Sequence, residues 1–391
     1  MDFLLKDVRW HDGKEVIEGD VRIRNGIIAE LGSELPLRKK EQVENFSGSF
    51  VYPGLINAHD HLEMNLYPQL GTPPYEDYME WARAIYKPTQ SPLREIEKLR
   101  IQTRLLWGGI KNIIAGVTSV AHHNPWHSCL KKKFPVSVLR IAWAHSLAFE
   151  KDVTRKFPRD SDTPFVIHAA EGISEAAFSE VPQLHRLGLL KKNTVLVHAL
   201  ALNPACIEMI ADAGASVIWC PASNLFMFRR IAFVKQLKDR VPIALGSDST
   251  LTGSTDLLAE IHLVASMNVF SPEEIFRMVT TTPARIFNLP SPGIRIGNIA
   301  DLFTAPAQYP DYFDNVIRTD PRDISLVMSR GMPMLKNADA EHLWNTLKHT
   351  VRVDGVWKYS AIDVGSLKRE IIGKVPREIL ERNLLWQMVQ A

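Results

Sequence analysis

Pro53-Gly54-Leu55-Ile56-Asn57-Ala58-His59-Asp60-His61 is the stretch on which the reading of this chain turns. Val51, Tyr52, Leu55 and Ile56 give it an apolar start, and two histidines one residue apart close it. Side chains alternate between the faces of a strand, so His59 and His61 share one face and Asp60 takes the other. Two imidazoles side by side at the carboxyl end of a strand can share one metal ion. Alone, a His-x-His pair is a modest signal. Its weight comes from downstream, where His168 ends Pro164-Phe165-Val166-Ile167 with Glu171 three residues on, His198 ends Thr194-Val195-Leu196-Val197, and Asp248 follows Val241 to Ser247. Apolar runs of strand length, each closed by a residue that can ligate metal, are hard to explain as core packing, because every buried polar tip would need its own partner.

The chain has 391 residues, 46% hydrophobic and 23% charged, which is ordinary for a globular enzyme and enough for one barrel with a small satellite domain. A formal net charge of +2 favours neither nucleic acid nor an anionic membrane as partner, and Lys131-Lys132-Lys133 reads as a solvated helix end. Cys129, Cys206 and Cys220 cannot all pair, which points to a reducing compartment. The amino terminus carries an early acid and no long apolar core, and no window reaches the roughly 18 apolar residues of a spanning helix. The expected location is the cytoplasm.

Residues 1–50 read as short strands, with Asn25-Gly26 as a hairpin turn between Val21-Arg22-Ile23-Arg24 and Ile27 to Leu31. Strand signals return at 293–303, 324–328 and 350–359, so the two chain ends are expected to pair into one small β-sandwich over 1–50 and 293–365. Leu367 to Val389 reads as a carboxyl-terminal helix, giving a final unit of 366–391. Between the ends, over 51–292, strands alternate with helices, which argues for parallel βαβ units and an α/β, TIM-like (β/α) barrel. Helices are expected near 93–115, 175–187, 205–213 and 254–266, with Val136–Ala144 as the third strand. Only seven strands are clear. The interval from His145 to the strand before His168 is too short for a full unit, so one barrel unit is expected to be missing, shortened or disguised.

At this point the chain resembles the amidohydrolase superfamily, in the branch of guanine, cytosine and S-adenosylhomocysteine deaminases and atrazine chlorohydrolase. The matching motifs are Pro-Gly-Leu-Ile-Asn-Ala-His-Asp-His at 53–61, Ala-Gly-Val-Thr-Ser at 115–119, His-Ala-Ala-Glu-Gly at 168–172, Val-His-Ala-Leu at 197–200, Cys-Pro-Ala-Ser-Asn at 220–224 and Leu-Gly-Ser-Asp-Ser at 245–249. The resemblance implies one divalent metal, zinc first and iron as the alternative, held by His59, His61, His168 and Asp248. It implies that Asp248 takes a proton from an activated water, that Glu171 relays protons to the leaving nitrogen, and that His198 binds the water or the developing oxyanion. The implied function is deamination of a small nitrogen heterocycle. Hydrolysis of a cyclic amide or a ring halide, or a non-catalytic scaffold, stand as the alternatives. Two-metal relatives carry a carboxylated lysine at the end of strand four, and here only Lys151 lies near, well beyond the third strand. An opened barrel side would be closed by a second copy, as a homodimer.

His122, His123 and His145 follow strands two and three at the face where barrel active sites lie, and could touch substrate or serve the fold. Glu63, Asn65 and the aromatic insertion with Tyr67, Tyr75, Tyr78, Trp81 and Tyr86 are expected to wall the pocket, with a packing arm as the plainer alternative. Cys220 reads as a buried small hydrophobe, and His11, His127, His185, His262, His342 and His349 call for no function.

Overall fold

The computed structural model describes residues 2–131, 133–232, 234–338 and 344–390; Lys132 and His342 lie outside them. The amino-terminal strands are β1 (Phe3–His11), β2 (Val16–Arg24), β3 (Ile27–Gly32) and β4 (Gln42–Pro53). Asn25 and Gly26 both take positive φ, 51° and 81°, the geometry of a type I′ hairpin turn whose twist matches its strands. Eight short strands follow: β5 (Leu55–Asp60), β6 (Val117–His122), β7 (Ser137–Val138), β8 (Ala142–Ala144), β9 (Phe165–Ala169), β10 (Thr194–His198), β11 (Ser216–Trp219) and β12 (Ile243–Leu245). The carboxyl-terminal strands are β13 (Leu302–Pro306), β14 (Leu326–Ser329), β15 (Met332–Asn337), β16 (His349–Val353), β17 (Val356–Ser360) and β18 (Val389–Gln390).

Both chain ends do meet, but their strands join one continuous ten-stranded sheet, in the order β18-β16-β17-β15-β14-β13-β4-β1-β2-β3. The junction is β13 lying antiparallel to β4, from Leu302 opposite Pro53 to Pro306 opposite Ser49. β4 then runs almost directly into β5. A Cβ on the intervening Gly54 would lie 2.2 Å from Thr118 Oγ1, so only glycine lets β5 settle beside β6. The terminal helix expected at 367–389 is instead three short helices, Val364–Ile372, Arg377–Leu380 and Leu384–Met388, followed by β18. Pro376 cannot donate to a continuing helix, and Asn383 restarts the last one by accepting from Trp386 N at 2.9 Å. Asn383 Nδ2 also reaches Tyr67 O at 2.8 Å and Asn65 O at 3.1 Å, which fastens this tail to the loop after β5.

The seven-strand count is corrected to eight. The run read as one strand over 136–144 is two, β7 and β8, separated by only Leu139-Arg140-Ile141. A period-2 pattern cannot show where such a run changes partner. β7 pairs with β6, and β8 pairs with β9, so the eight parallel strands fall into a three-stranded sheet β5-β6-β7 and a five-stranded sheet β12-β11-β10-β9-β8. On the other side the sheets are linked at their carboxyl ends, where Asp248 N donates to His59 O at 3.0 Å and His61 N to Asp248 O at 3.1 Å. The helical stretch expected at 93–115 is divided into Leu93–Ile96 and Ile101–Ile114, and the helices at 175–186, 204–212 and 257–266 lie close to their expected places.

Asp60 points away from the two histidines, as strand alternation requires. It accepts from Asn112 Nδ2 at 2.8 Å and Asn65 Nδ2 at 3.0 Å, and it faces Lys111 Nζ at 3.4 Å with both side chains fully buried. Asn57 joins this cluster and reaches Ser247 Oγ at 2.7 Å, tying β5 to the segment after β12. Removing the cation alone would strand a buried carboxylate. Lys111→Met is therefore expected to destabilise the fold by about 3–5 kcal/mol, read as a shift of the denaturant midpoint.

Candidate metal centre

The carboxyl ends of β5, β9, β10 and β12 deliver His59, His61, His168, His198 and Asp248 to one buried spot. His59 and His61 each place Nε2 at 3.6 Å from Asp248 Oδ1, and His168 Nε2 lies 3.2 Å from His59 Nε2. Two triads, His59 with His168 and His198, and His59 with His61 and Asp248, each keep their donor atoms within 4.8 Å of one another. Bonds of about 2.0–2.2 Å in a tetrahedral set would put neighbouring donors about 3.3–3.6 Å apart, so this spacing fits a divalent ion.

The backbone is bent to make the cluster. His198, Ala199, Ala170 and Asp248 all take left-handed φ, at 72°, 46°, 55° and 49°. Each costs a non-glycine residue on the order of 1–2 kcal/mol, and four such residues gathered at one spot indicate a site held by its surroundings. Gly246 permits the approach of the segment before Asp248, since a Cβ there would lie 2.6 Å from His59 Cβ.

The protonation pattern suits metal ligation. Burial lowers three of the central imidazoles: His59 to about 3, His168 well below its ordinary value, and His198 in the same direction. They are neutral, as ligands must be. Burial pushes the Asp248 carboxyl up, but the hydrogen bond from the imidazole of His59 and the proximity of His198 outweigh this and hold it well below the usual carboxylate range. Glu171 behaves oppositely. Its burial, with Asp248 nearby, raises it well above the ordinary value. Outer contacts orient the rings: His168 Nδ1 lies 2.8 Å from His145 O, and His198 Nδ1 lies 2.9 Å from Asn224 Oδ1. Thr252 Oγ1 donates to Asp248 Oδ2 at 2.9 Å and leaves Oδ1 facing the histidines. Neither Asn224 nor Thr252 was singled out by residue type, although Asn224 closes the Cys-Pro-Ala-Ser-Asn motif.

The cluster floors a cavity of about 750 Å³, within the size range of small-molecule sites. Glu63, Tyr67, Tyr78, Trp81, Tyr86, His145 and Glu171 line it, so the aromatic insertion does form a wall. Trp81 Nε1 donates to Leu70 O at 3.0 Å and Tyr78 OH to Glu180 Oε1 at 3.1 Å, which holds both rings in place. Tyr75 and Asn65 are not in that lining: Tyr75 OH accepts from Thr72 N at 2.7 Å, and Asn65 serves Asp60. His122 lies behind the wall, with Nδ1 accepting from Leu62 N at 3.4 Å and Nε2 at 3.7 Å from Glu63 Oε2. His123 lies beneath the centre, fully buried and stacked on His168 with centroids 4.4 Å apart. Lys151 is exposed, away from this buried floor, and Cys220 is fully buried in the core.

The model of the Amidohydrolase family matches residues 139–334. A 5-methylthioadenosine/S-adenosylhomocysteine deaminase of Pyrococcus furiosus is 26% identical over 350 residues, covering 75% of this chain and 83% of that protein. Its namesake from Pyrococcus horikoshii is 30% identical over 361 residues, covering 76% and 83%. Among solved structures, a zinc-bound adenosine deaminase from Xanthomonas campestris superposes with a TM-score of 0.74 at 18% identity over 97% of this chain and 98% of that one, a likeness of fold. With a family model matched over half its length and a relative 30% identical over three quarters of it, the chain belongs to the amidohydrolase family.

Proposed function

We propose that the chain deaminates an aminopurine of the adenosine type through one divalent ion, zinc first and iron as the alternative. His59, His61, His168 and Asp248 would hold the ion. When bound, it supplies Lewis acidity and, by lowering the pKa of water, hydroxide near neutral pH. The carrying observation is that these four donors and a proton-holding Glu171 converge on the floor of a cavity walled by fixed aromatic faces.

Each remaining role is a proton or a position. Asp248, ionised and with Oδ2 occupied by Thr252, turns Oδ1 toward the histidines, where a second lone pair of that oxygen can accept a proton from the attacking water. Glu171 holds a proton in its buried setting and can give it to the ring nitrogen; the proton that Asp248 took from the water then passes to the leaving amine, and the hydroxyl proton of the adduct returns to Glu171. His198 Nε2 lies 3.5 Å from Glu171 Oε1; with Nδ1–H directed to Asn224, that nitrogen is an acceptor that orients the water. Oxygen adds to the amino-bearing carbon, the carbon–nitrogen bond breaks, and ammonia departs. The faces of Trp81 and Tyr78 suit a flat heterocycle. The names of both Pyrococcus relatives support a substrate of this class.

The same reading takes residues 51–292 as one (β/α) barrel with a seam between β7 and β8, flanked by the composite unit of 1–50 with 293–365 and a tail of 366–391. Residues 137–143 along the seam are half-buried or exposed, which favours a homodimer that covers them, in the cytoplasm. No helix among the described residues is long and apolar enough to cross a membrane.

A panel of adenosine, adenine, guanine, cytosine, pterins and hydantoins, assayed for ammonia, tests the proposal. Ammonia release is expected from adenosine-type compounds. Turnover of any ring without ammonia would replace deamination by ring-amide hydrolysis.

A further inference from the structure

We propose that His123 is a positioning residue which sets the tautomer of His59, and that the three-residue strand β8 does the setting through the backbone carbonyl of its last residue, Ala144. The inference rests on the ligand set above but not on the reaction.

Ala144 is the last residue of β8. Its carbonyl oxygen can only accept, and His123 Nε2 lies 2.9 Å from it. The proton of the neutral His123 ring is therefore on Nε2, and Nδ1 carries a lone pair. His59 Nδ1 lies 3.3 Å from that lone pair, so the proton between the two rings belongs to His59. His59 Nε2 is thereby left unprotonated where it faces His168 Nε2 at 3.2 Å and Asp248 Oδ1 at 3.6 Å. The next carbonyl along the chain repeats the device directly: His145 O, 2.8 Å from His168 Nδ1, fixes that proton and frees His168 Nε2. Two unprotonated nitrogens facing each other at 3.2 Å repel unless a cation lies between them, which is what the two carbonyls arrange.

His123 also fixes direction. Its ring is parallel to His168 within 2° at 4.4 Å and stands edge-on to His59 at 89°, and both His123 and His59 are fully buried. One imidazole thus supports two ligands. Its acceptor is neutral where metal-bound histidines often meet a carboxylate, so His59 gains orientation without added negative charge. This gives the shortened β7–β8 unit a purpose: β8 pairs with β9 through only Ala142, Trp143 and Ala144, yet its end, with His145 next to it, places two consecutive carbonyls under the centre.

Zinc affinity of the full chain, measured by chelator competition, tests the assignment. His123→Leu keeps bulk but removes the acceptor, and is expected to weaken zinc binding about 10–100-fold. His123→Gln can accept from His59 with its amide oxygen and donate to Ala144 O with its amide nitrogen, and should recover most of that loss, which a merely space-filling role would not predict. Nitrogen-15 histidine spectra of the wild-type protein read the protons without mutation: Nε2–H is expected for His123 and Nδ1–H for His59. The opposite tautomer at either ring overturns the proposal, whether or not the leucine variant folds. A folded His123→Leu chain that binds zinc within about threefold of wild type also overturns it, and leaves the ligand set standing. A wild-type chain that takes up no zinc overturns both.

Discussion

Glu171→Gln is expected to lower turnover of an adenosine-type substrate by at least about 100-fold while the metal stays bound. The carboxyl is raised by burial and by the Asp248 charge, so it carries a proton that the mechanism moves from oxygen to nitrogen. Glutamine keeps the size and a hydrogen-bond donor but cannot transfer a proton. None of the donors grouped at the centre is Glu171, so the ion should be unaffected. Metal analysis beside steady-state kinetics checks both halves. Loss of metal would make Glu171 a ligand, and full activity would remove it from the proton path.

Asp248→Asn should cost a similar factor, at least about 100-fold, for a different reason. Asparagine retains one coordinating oxygen, and its amide nitrogen can donate to the Thr252 hydroxyl, which lies 2.9 Å from Oδ2 in the native protein. What disappears is the ionised carboxylate that His59 and His61 face at 3.6 Å. Three histidines remain to keep much of the metal, whereas His59→Ala or His168→Ala should release it. An active Asp248→Asn chain would pass the role of base to Glu171 or His198.

The floor of the site was legible because strand alternation is rigid. His59 and His61 face the centre and Asp60 faces Lys111 and Asn112, as a period of two demands. Apolar runs ended by His168, His198 and Asp248 announced three more strands. The fourth strand was hidden because β7 and β8 are two and three residues long with no helix between them, so no change of period marks the join. The broken tail was missed because apolar spacing persists through Pro376 and Asn383, where capping and not periodicity decides the ends. His123, Asn224 and the carbonyls of Ala144 and His145 act through geometry between distant segments. A linear pattern can name such residues but cannot aim them, and a carbonyl has no residue type to read.

We propose that one divalent ion, held by His59, His61, His168 and Asp248, supports the hydrolytic activity of this chain. Titrating zinc into chelator-stripped protein, with bound metal and ammonia release followed together on adenosine, tests it most directly. Activity should rise in proportion to bound zinc and level off at about one ion per chain, as a single tetrahedral centre requires, while His59→Ala stays metal-free and inactive. Saturation near two ions, or ammonia release that survives complete stripping, would contradict the account.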